Sequence, residues 1–327
     1  MASAQKRKSL LTLLGIIACT LLLACSKETK PGGRLAMKQV NSAEKMQEFI
    51  TDISQYCRKS SAGFIIIPQN ASELAFTDGN PELTINAEYM NAIDAFGIEG
   101  LFYNGEYTPD TTRLHILRKL QPAKKILVSE YISTDRHAPD VVEKNKKEGF
   151  VAFIRTKKNY NYEYIPKSIR NENAEDVKSM ADVQNYLYLI NASQYQTKAD
   201  FIKTISKTNH DLLIIDLFFN NEPWTTSEIK KMKIKANGGE RLVICYMNIG
   251  SAENWRYYWK KGWKLGSPTF LGKRYEGYQN EFWVRFWEPQ WQEIIFGNEQ
   301  SYAKKIINAG FDGAYLDNVE AYQYIFK

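Results

Sequence analysis

GFDGAYLDNVEAY (residues 310–322) begins as an apolar strand and then sets Asp317, Asn318 and Glu320 directly after it. A short apolar run ending in concentrated polar chemistry is what the C-terminal end of a buried parallel strand looks like, because ligands sit at that end of such sheets. The same unit recurs upstream. Apolar runs at 63–67, 98–103, 126–131, 150–154, 186–190, 212–219, 242–247 and 282–286 read as strands. Between them, helices are expected at 86–96, 111–120, 138–147, 168–180, 198–208, 226–235 and 291–309. A first helix opens at Ser42 as its N-cap, with Met46, Phe49, Ile50, Ile53, Tyr56 and Cys57 on one face. This alternation runs on without a break in composition and predicts one α/β domain with parallel strands covered on both faces. A single (β/α)8 TIM barrel, typically ~250 residues, accounts for it better than a doubly wound sheet.

The N-terminus reads differently. Lys6, Arg7 and Lys8 precede an apolar run over 10–23, and Leu22-Leu23-Ala24-Cys25 closes it. That pattern predicts a lipoprotein signal peptide over residues 1–24 rather than a membrane-spanning helix. Cys25 would carry the lipids that anchor the chain. Residues 25–40, with SKETKPGGR, read as a polar tether, which leaves 41–327 as the barrel. The expected location is the cell envelope, on the outer membrane or the cell surface.

Composition narrows the chemistry. The formal net charge of +6 includes the basic residues of the signal, and no basic block suggests nucleic acid. The three histidines (His115, His137, His210) lie far apart, and no Cys/His spacing suits zinc, so neither a metal nor a cofactor is expected. No Gly-rich phosphate loop is present. Cys57 and Cys245 remain in the mature chain, the latter inside an apolar strand as a small core residue.

The predicted strand ends supply a polar set: Gln69, Asn70, Tyr103, Asn104, Glu106, Glu130, Asn191, Asp216, Asn248, Ser251, Glu253, Glu281, Asp317, Asn318 and Glu320. Carboxylates dominate it, with no Ser–His pair. Paired carboxylates without a metal are the equipment of glycosidic bond cleavage, one as acid and one as nucleophile or base. Glu99 and Glu130 lie within strands and could face inward or join ion pairs. Trp255, Trp259, Trp283, Trp287 and Trp291 are candidate sugar platforms or core residues.

Three blocks carry a resemblance. RLVICYMNIGSAENWRYYW (241–259), EFWVRFWEPQWQEII (281–295) and GFDGAYLDNVEAY resemble, in order, signature blocks of glycoside hydrolase family 114, and DLLIIDLFF (211–219) looks like the family's strand ending in Asp. The likeness covers roughly 183–322 and departs from the family pattern at Ser251, where many relatives carry Glu. It implies an endo-α-1,4-polygalactosaminidase-like activity, with Asp216 and Glu253 in the acid and nucleophile or base roles. Asp317 would support sugar binding, and Tyr246, Arg256 and Glu281 fall in the same blocks as further substrate contacts.

The N-terminal segments GFIIIPQNASELAF (63–76), GIEGLFYNGEYT (97–108), KILVSEYIS (125–133) and GFVAFIRT (149–156) resemble parts of the family that usually follow the L-D-N-V block. Their order here implies a circularly permuted barrel, in which the first helix packs beside the last strand. The resulting expectation is an exported, lipid-anchored, monomeric hydrolase of an α-linked amino-sugar polysaccharide. The alternative is a non-catalytic carbohydrate-binding lipoprotein on the same scaffold.

Overall fold

The computed structural model describes residues 41–325. The expected signal peptide, Cys25 and the tether up to residue 40 lie outside the described residues, as do 326 and 327. The first half contains α1 (Ser42–Ser60), β1 (Ile65–Pro68), α2 (Ala87–Ala92), β2 (Ala95–Tyr107), α3 (Thr111–Leu120), β3 (Lys125–Ile132), α4 (Ala138–Lys147) and β4 (Val151–Thr156). Next come β5 (Tyr186–Tyr188), α5 (Lys198–Ile205), β6 (Leu212–Asp216), the two-residue strands β7 (Phe218–Phe219) and β8 (Glu222–Pro223), α6 (Thr226–Met232) and β9 (Leu242–Asn248). The chain continues through β10 (Ser251–Glu253), β11 (Leu271–Arg274), β12 (Glu281–Val284), α7 (Pro289–Ile295), α8 (Tyr302–Ala309), β13 (Gly313–Asp317) and α9 (Ala321–Tyr324).

Two parallel sheets form the centre. One has five strands in the order β1-β13-β9-β6-β5, and the other three in the order β2-β3-β4. A parallel bridge between Gln69 and Gly97 ties β1 to β2, with the Asn70 N–H donating to Gly97 O at 2.7 Å. At the other two edges Phe153 of β4 packs on Tyr186 of β5, ring centroids 5.5 Å apart. Every residue of β1 and β9 is buried, which fits strands covered on both faces. Where side chains meet inside, space is tight. A Cβ on Gly97 would come within 2.0 Å of the Tyr315 hydroxyl, so only glycine lets Tyr315 cross to β2.

The first helix carries a complete apolar face. Met46, Phe49, Ile50, Ile53 and Cys57 are 0–1% exposed. Burying each large side chain contributes ~1.5–3 kcal/mol. Phe49 stacks on Phe286 at 5.9 Å and meets Phe296 in a tilted contact at 6.1 Å. The helix packs against α8 and α9, the elements on either side of β13 in sequence, and β1 pairs with β13 from Ile65/Gly313 to Pro68/Leu316.

Several expectations need correction. Asn41, not Ser42, caps the first helix, its side chain accepting from the Ala43 and Glu44 N–H groups. The charged stretch 168–180 forms no α-helix and follows an irregular path, with a single 3-10 turn at Met180–Asp182. Its charges made it look helical, but it lacks an apolar face to bury. The run at 282–286 does form a strand, but β12 belongs to an antiparallel sheet with β10 and β11, outside the parallel sheets. The run at 212–219 ends its parallel pairing at Asp216, after which β7 turns back on β8. The long helix at 291–309 is two helices, broken around Gly297 at φ +100°.

Candidate active site

The parallel registers bring polar strand ends to one level. Asp317 of β13 is paired with Asn248 of β9, and Asp216 of β6 with Tyr246 of β9. Gln69, just past β1, donates its N–H to Leu316 O at 2.8 Å. Each strand is apolar until it clears the core, so the first polar residues emerge together at one end.

At the centre one guanidinium holds two carboxylates. Arg256 Nη1 reaches both Asp216 oxygens at 2.9 and 2.7 Å, and its Nε reaches Glu253 Oε2 at 2.6 Å. Asp216 Oδ1 also accepts from the Phe218 N–H at 2.9 Å, so three N–H contacts converge on it. Glu253 is 6% exposed. Burial raises its carboxyl to about 7, aided by Glu281 and Asp216 and opposed by Arg256. A carboxylic acid protonated near neutrality beside a carboxylate held by an arginine is the division that acid–base cleavage needs.

Glu281 ties the three sequence blocks together. It accepts from Asn248 Nδ2 at 3.1 Å, from Asn318 Nδ2 at 3.0 Å and from the Ser251 hydroxyl. Asn248 and Ser251 lie in the first block, Glu281 in the second and Asn318 in the third. Asn318 adopts a left-handed conformation, φ +57°, that aims its amide inward, and Tyr275 donates to its Oδ1 at 3.2 Å. Gly250 is what lets the blocks meet, because a Cβ there would lie 1.8 Å from Asn318 O.

A second group of carboxylates adjoins. Asp317 accepts from the Tyr246 hydroxyl, and burial, then the charge of Glu320, holds its carboxyl well above the usual carboxylate range. Glu320 is raised to about 7, chiefly by burial, with the charges of Glu99 and Glu73 acting in the same direction. Its Oε1 accepts from Asn70 Nδ2 at 3.4 Å, while Oε2 has no hydrogen-bond partner among the described residues. Gln69 Oε1 accepts from the Tyr188 hydroxyl at 3.1 Å. Glu99 faces inward: its N–H donates to Asn70 Oδ1 at 3.2 Å, and its carboxylate meets Tyr162 OH and Arg155, the latter at 3.4 Å.

Two expected contacts point elsewhere. Glu130 is 0% exposed and accepts from the Phe102 and Tyr103 N–H groups and from Asn145 of α4. It holds the irregular part of β2 in place, facing the helix layer rather than the cleft. Tyr103 likewise donates to Asp140 of α4 at 2.5 Å. Among the tryptophans, Trp291 is fully buried and donates to Ile249 O at 2.9 Å, and Trp283 is stacked between Tyr275 and Tyr324. Trp255 is 51% exposed. The residues that the motifs do not indicate are Arg155 and Tyr162. Arg155 lies 4.5 Å over the Tyr162 ring, and Tyr162 stacks on Tyr188 at 4.0 Å. The signal for Arg155 was a charge on the buried alternation of β4, and for Tyr162 its place in an aromatic-rich loop.

Residues 167–325, which contain Asp216, Arg256, Glu253, Glu281 and Asp317, match the model of glycoside-hydrolase family GH114. Over that span the chain is similar to family GH114. The chain is similar to an uncharacterised protein of Methanocaldococcus jannaschii, 36% identical over 155 residues, or 46% of this chain and 42% of the relative. An uncharacterised protein of Thermotoga maritima is 31% identical over 120 residues, 37% of this chain and 36% of that protein. One from Deinococcus radiodurans is 33% identical over 129 residues, 39% and 38% of the two chains. The chain thus covers less than half the length of each of these relatives. Every residue of the Asp216–Arg256–Glu253 cluster lies inside the span that matches the family model.

Proposed function

We propose that this protein is a glycoside hydrolase that cleaves an α-linked amino-sugar polysaccharide of the galactosaminoglycan type. The observation that carries the reading is the Asp216–Arg256–Glu253 arrangement, in which Glu253 is raised to about 7 and Asp216 accepts from the guanidinium. Glu253 then protonates the departing glycosidic oxygen, and Asp216 serves as nucleophile or as base for water. Asp317, Glu320 and Glu99 line the cleft with carboxyl groups, whose charged forms a cationic, deacetylated sugar chain would favour. Gln69, Asn70, Asn318 and Tyr246 supply neutral hydrogen-bonding partners for sugar hydroxyls.

The scaffold in this reading is a (β/α)8 barrel whose strands run β1, β2, β3, β4, β5, β6, β9, β13 and return to β1. It is permuted, so that β1 and α1 occupy the place that follows β13 in the usual family order. The β1–β13 pairing and the packing of α1 against α8 and α9 support this. Export and anchoring through Cys25 belong to the same proposal, with a monomeric hydrolase working at the cell envelope.

The test is turnover of a partly deacetylated α-1,4-galactosaminoglycan by residues 41–327, beside Glu253→Gln and Asp216→Asn. Each variant should lose at least about a hundredfold in kcat, within the range one acid–base group contributes, while still binding the glycan. Binding without turnover in the unaltered protein would instead identify a carbohydrate-binding protein.

A further inference from the structure

The irregular path over 157–185 leaves a hollow on the outside of the sheet. In a βα repeat a helix would cover β4 before the chain enters β5, but none forms here. The consequence is visible along β4, where Val151, Phe153 and Arg155 are buried while the alternating Ala152, Ile154 and Thr156 are half-buried. A cavity of ≈ 590 Å³ lies over these three, closed on its other sides by α4 and by the segment around residues 164–171. That is within the roughly 300–1,000 Å³ of small-molecule sites. It shares no residue with the Asp216–Arg256–Glu253 cluster.

Its lining has three chemical characters. Phe150, Ile154, Ile165 and Ile169 supply apolar walls. Lys146, Lys158, Lys167 and Arg170 surround it with positive charge against one acid, Asp135. Lys146, Lys167 and Arg170 form no ion pair among the described residues. Two buried polar atoms in the lining have no hydrogen-bond partner among the described residues: Asn145 Oδ1 and His210 Nδ1, on side chains 1% and 2% exposed. Asn145 Nδ2 already donates to Glu130 Oε1 at 3.1 Å and to Val141 O at 3.0 Å, which fixes its Oδ1 as an acceptor in need of a donor. Burial drives His210 down to about 3, so its ring is neutral.

An unpaired buried acceptor costs ~1–3 kcal/mol, which a bound hydroxyl would recover. Apolar walls suit the C–H face of a sugar ring, and the unpaired cations suit a carboxylate. We propose that this cavity binds a hydroxylated organic anion of the acidic-sugar class, in a site separate from the catalytic cleft and opposite to it in charge.

The probe is digalacturonate, titrated calorimetrically into the protein of residues 41–327, with its neutral methyl ester alongside. Saturable binding of the anion, at least about tenfold tighter than the ester, is expected from the loss of two or more charge contacts. Lys167→Glu with Arg170→Glu, both on exposed chain, should weaken it by about as much. Ala152→Trp, which fills the hollow, should abolish it. Equal binding of acid and ester, absence of binding, or unchanged affinity in the Lys167/Arg170 variant would overturn the proposal. Competition by dodecanoate but not by free galacturonate would overturn it in favour of an amphiphile site.

Discussion

Arg256 and Glu253 stand three residues apart and meet through a 2.6 Å contact between Nε and Oε2, while the other edge of the guanidinium closes on Asp216. All three are largely withdrawn from solvent, with side-chain exposures of 9%, 7% and 14%. In that setting the arginine is a structural member of the site. Replacing it with alanine leaves the Asp216 and Glu253 carboxyl groups without their shared buried donor, and breaking a buried pair in this way costs ~3–5 kcal/mol. Arg256→Ala should therefore lower stability in denaturant titrations by several kcal/mol. Arg256→Lys should recover stability in part but not kcat, because one ammonium cannot grip both partners.

Glu253 gives the protein a distinctive pH dependence. Its carboxyl is raised from 4.5 to about 7, so the folded protein holds this proton more tightly than the unfolded chain does. The associated stability is fully present below pH 4.5 and is lost as pH rises through about 7. At ~1.4 kcal/mol per unit the loss is on the order of 3 kcal/mol. Glu320 acts in the same direction. Thermal unfolding between pH 4 and 8 should show Glu253→Gln with a shallower decline than the parent protein. Turnover should also fall above pH 7 as the acid loses its proton.

Gly250 should tolerate no side chain. Its missing Cβ would sit 1.8 Å from Asn318 O, a contact with backbone that cannot rotate away. Gly250→Ala should cost ~1–3 kcal/mol by overpacking and separate Asn318 from Glu281. Calorimetric melting reads the first effect. A kcat loss at a temperature where the variant is fully folded reads the second.

Glu130 should matter to folding and not to catalysis. It satisfies two backbone N–H groups and the Asn145 amide in a fully buried setting. Glu130→Ala should destabilise the protein by ~1–3 kcal/mol or more with kcat/KM per folded molecule unchanged. A selective loss of kcat/KM would return Glu130 to the cleft.

A permuted barrel would tolerate reversal of the chain order. A chain in which residues 41–157 follow residue 325 through a short Gly/Ser linker should fold to the same circular dichroism spectrum and retain turnover. The cut would fall in the irregular segment after β4, where few ladder hydrogen bonds cross. Failure of this chain to fold would remove the permuted-barrel reading.

Much of this was legible along the chain. The apolar runs of β1, β6, β9 and β13 are set by burial on both faces, so they show in sequence with no partner specified. The polar residues that end or closely follow them are equally visible, which put Asp216, Glu253 and Asp317 among the candidates, while the roles expected of Asp216 and Glu253 came from the resemblance. The stretch 168–180 misled because charge density resembles an amphipathic helix until one asks which face it would bury. Glu130 misled because strand alternation does not say which face is inward when both faces are covered.

By itself, the sequence determined which segments must be buried and which carboxylates stand at strand ends, since hydrophobic burial and strand length are local properties. Only the tertiary structure decided that Arg256 turns back onto Asp216 and Glu253, that Asn248, Ser251, Glu281 and Asn318 converge, and that Glu130 serves the helix layer. Those outcomes depend on register between strands distant in sequence. They also depend on close approaches, such as Gly250 to Asn318, that no local pattern encodes.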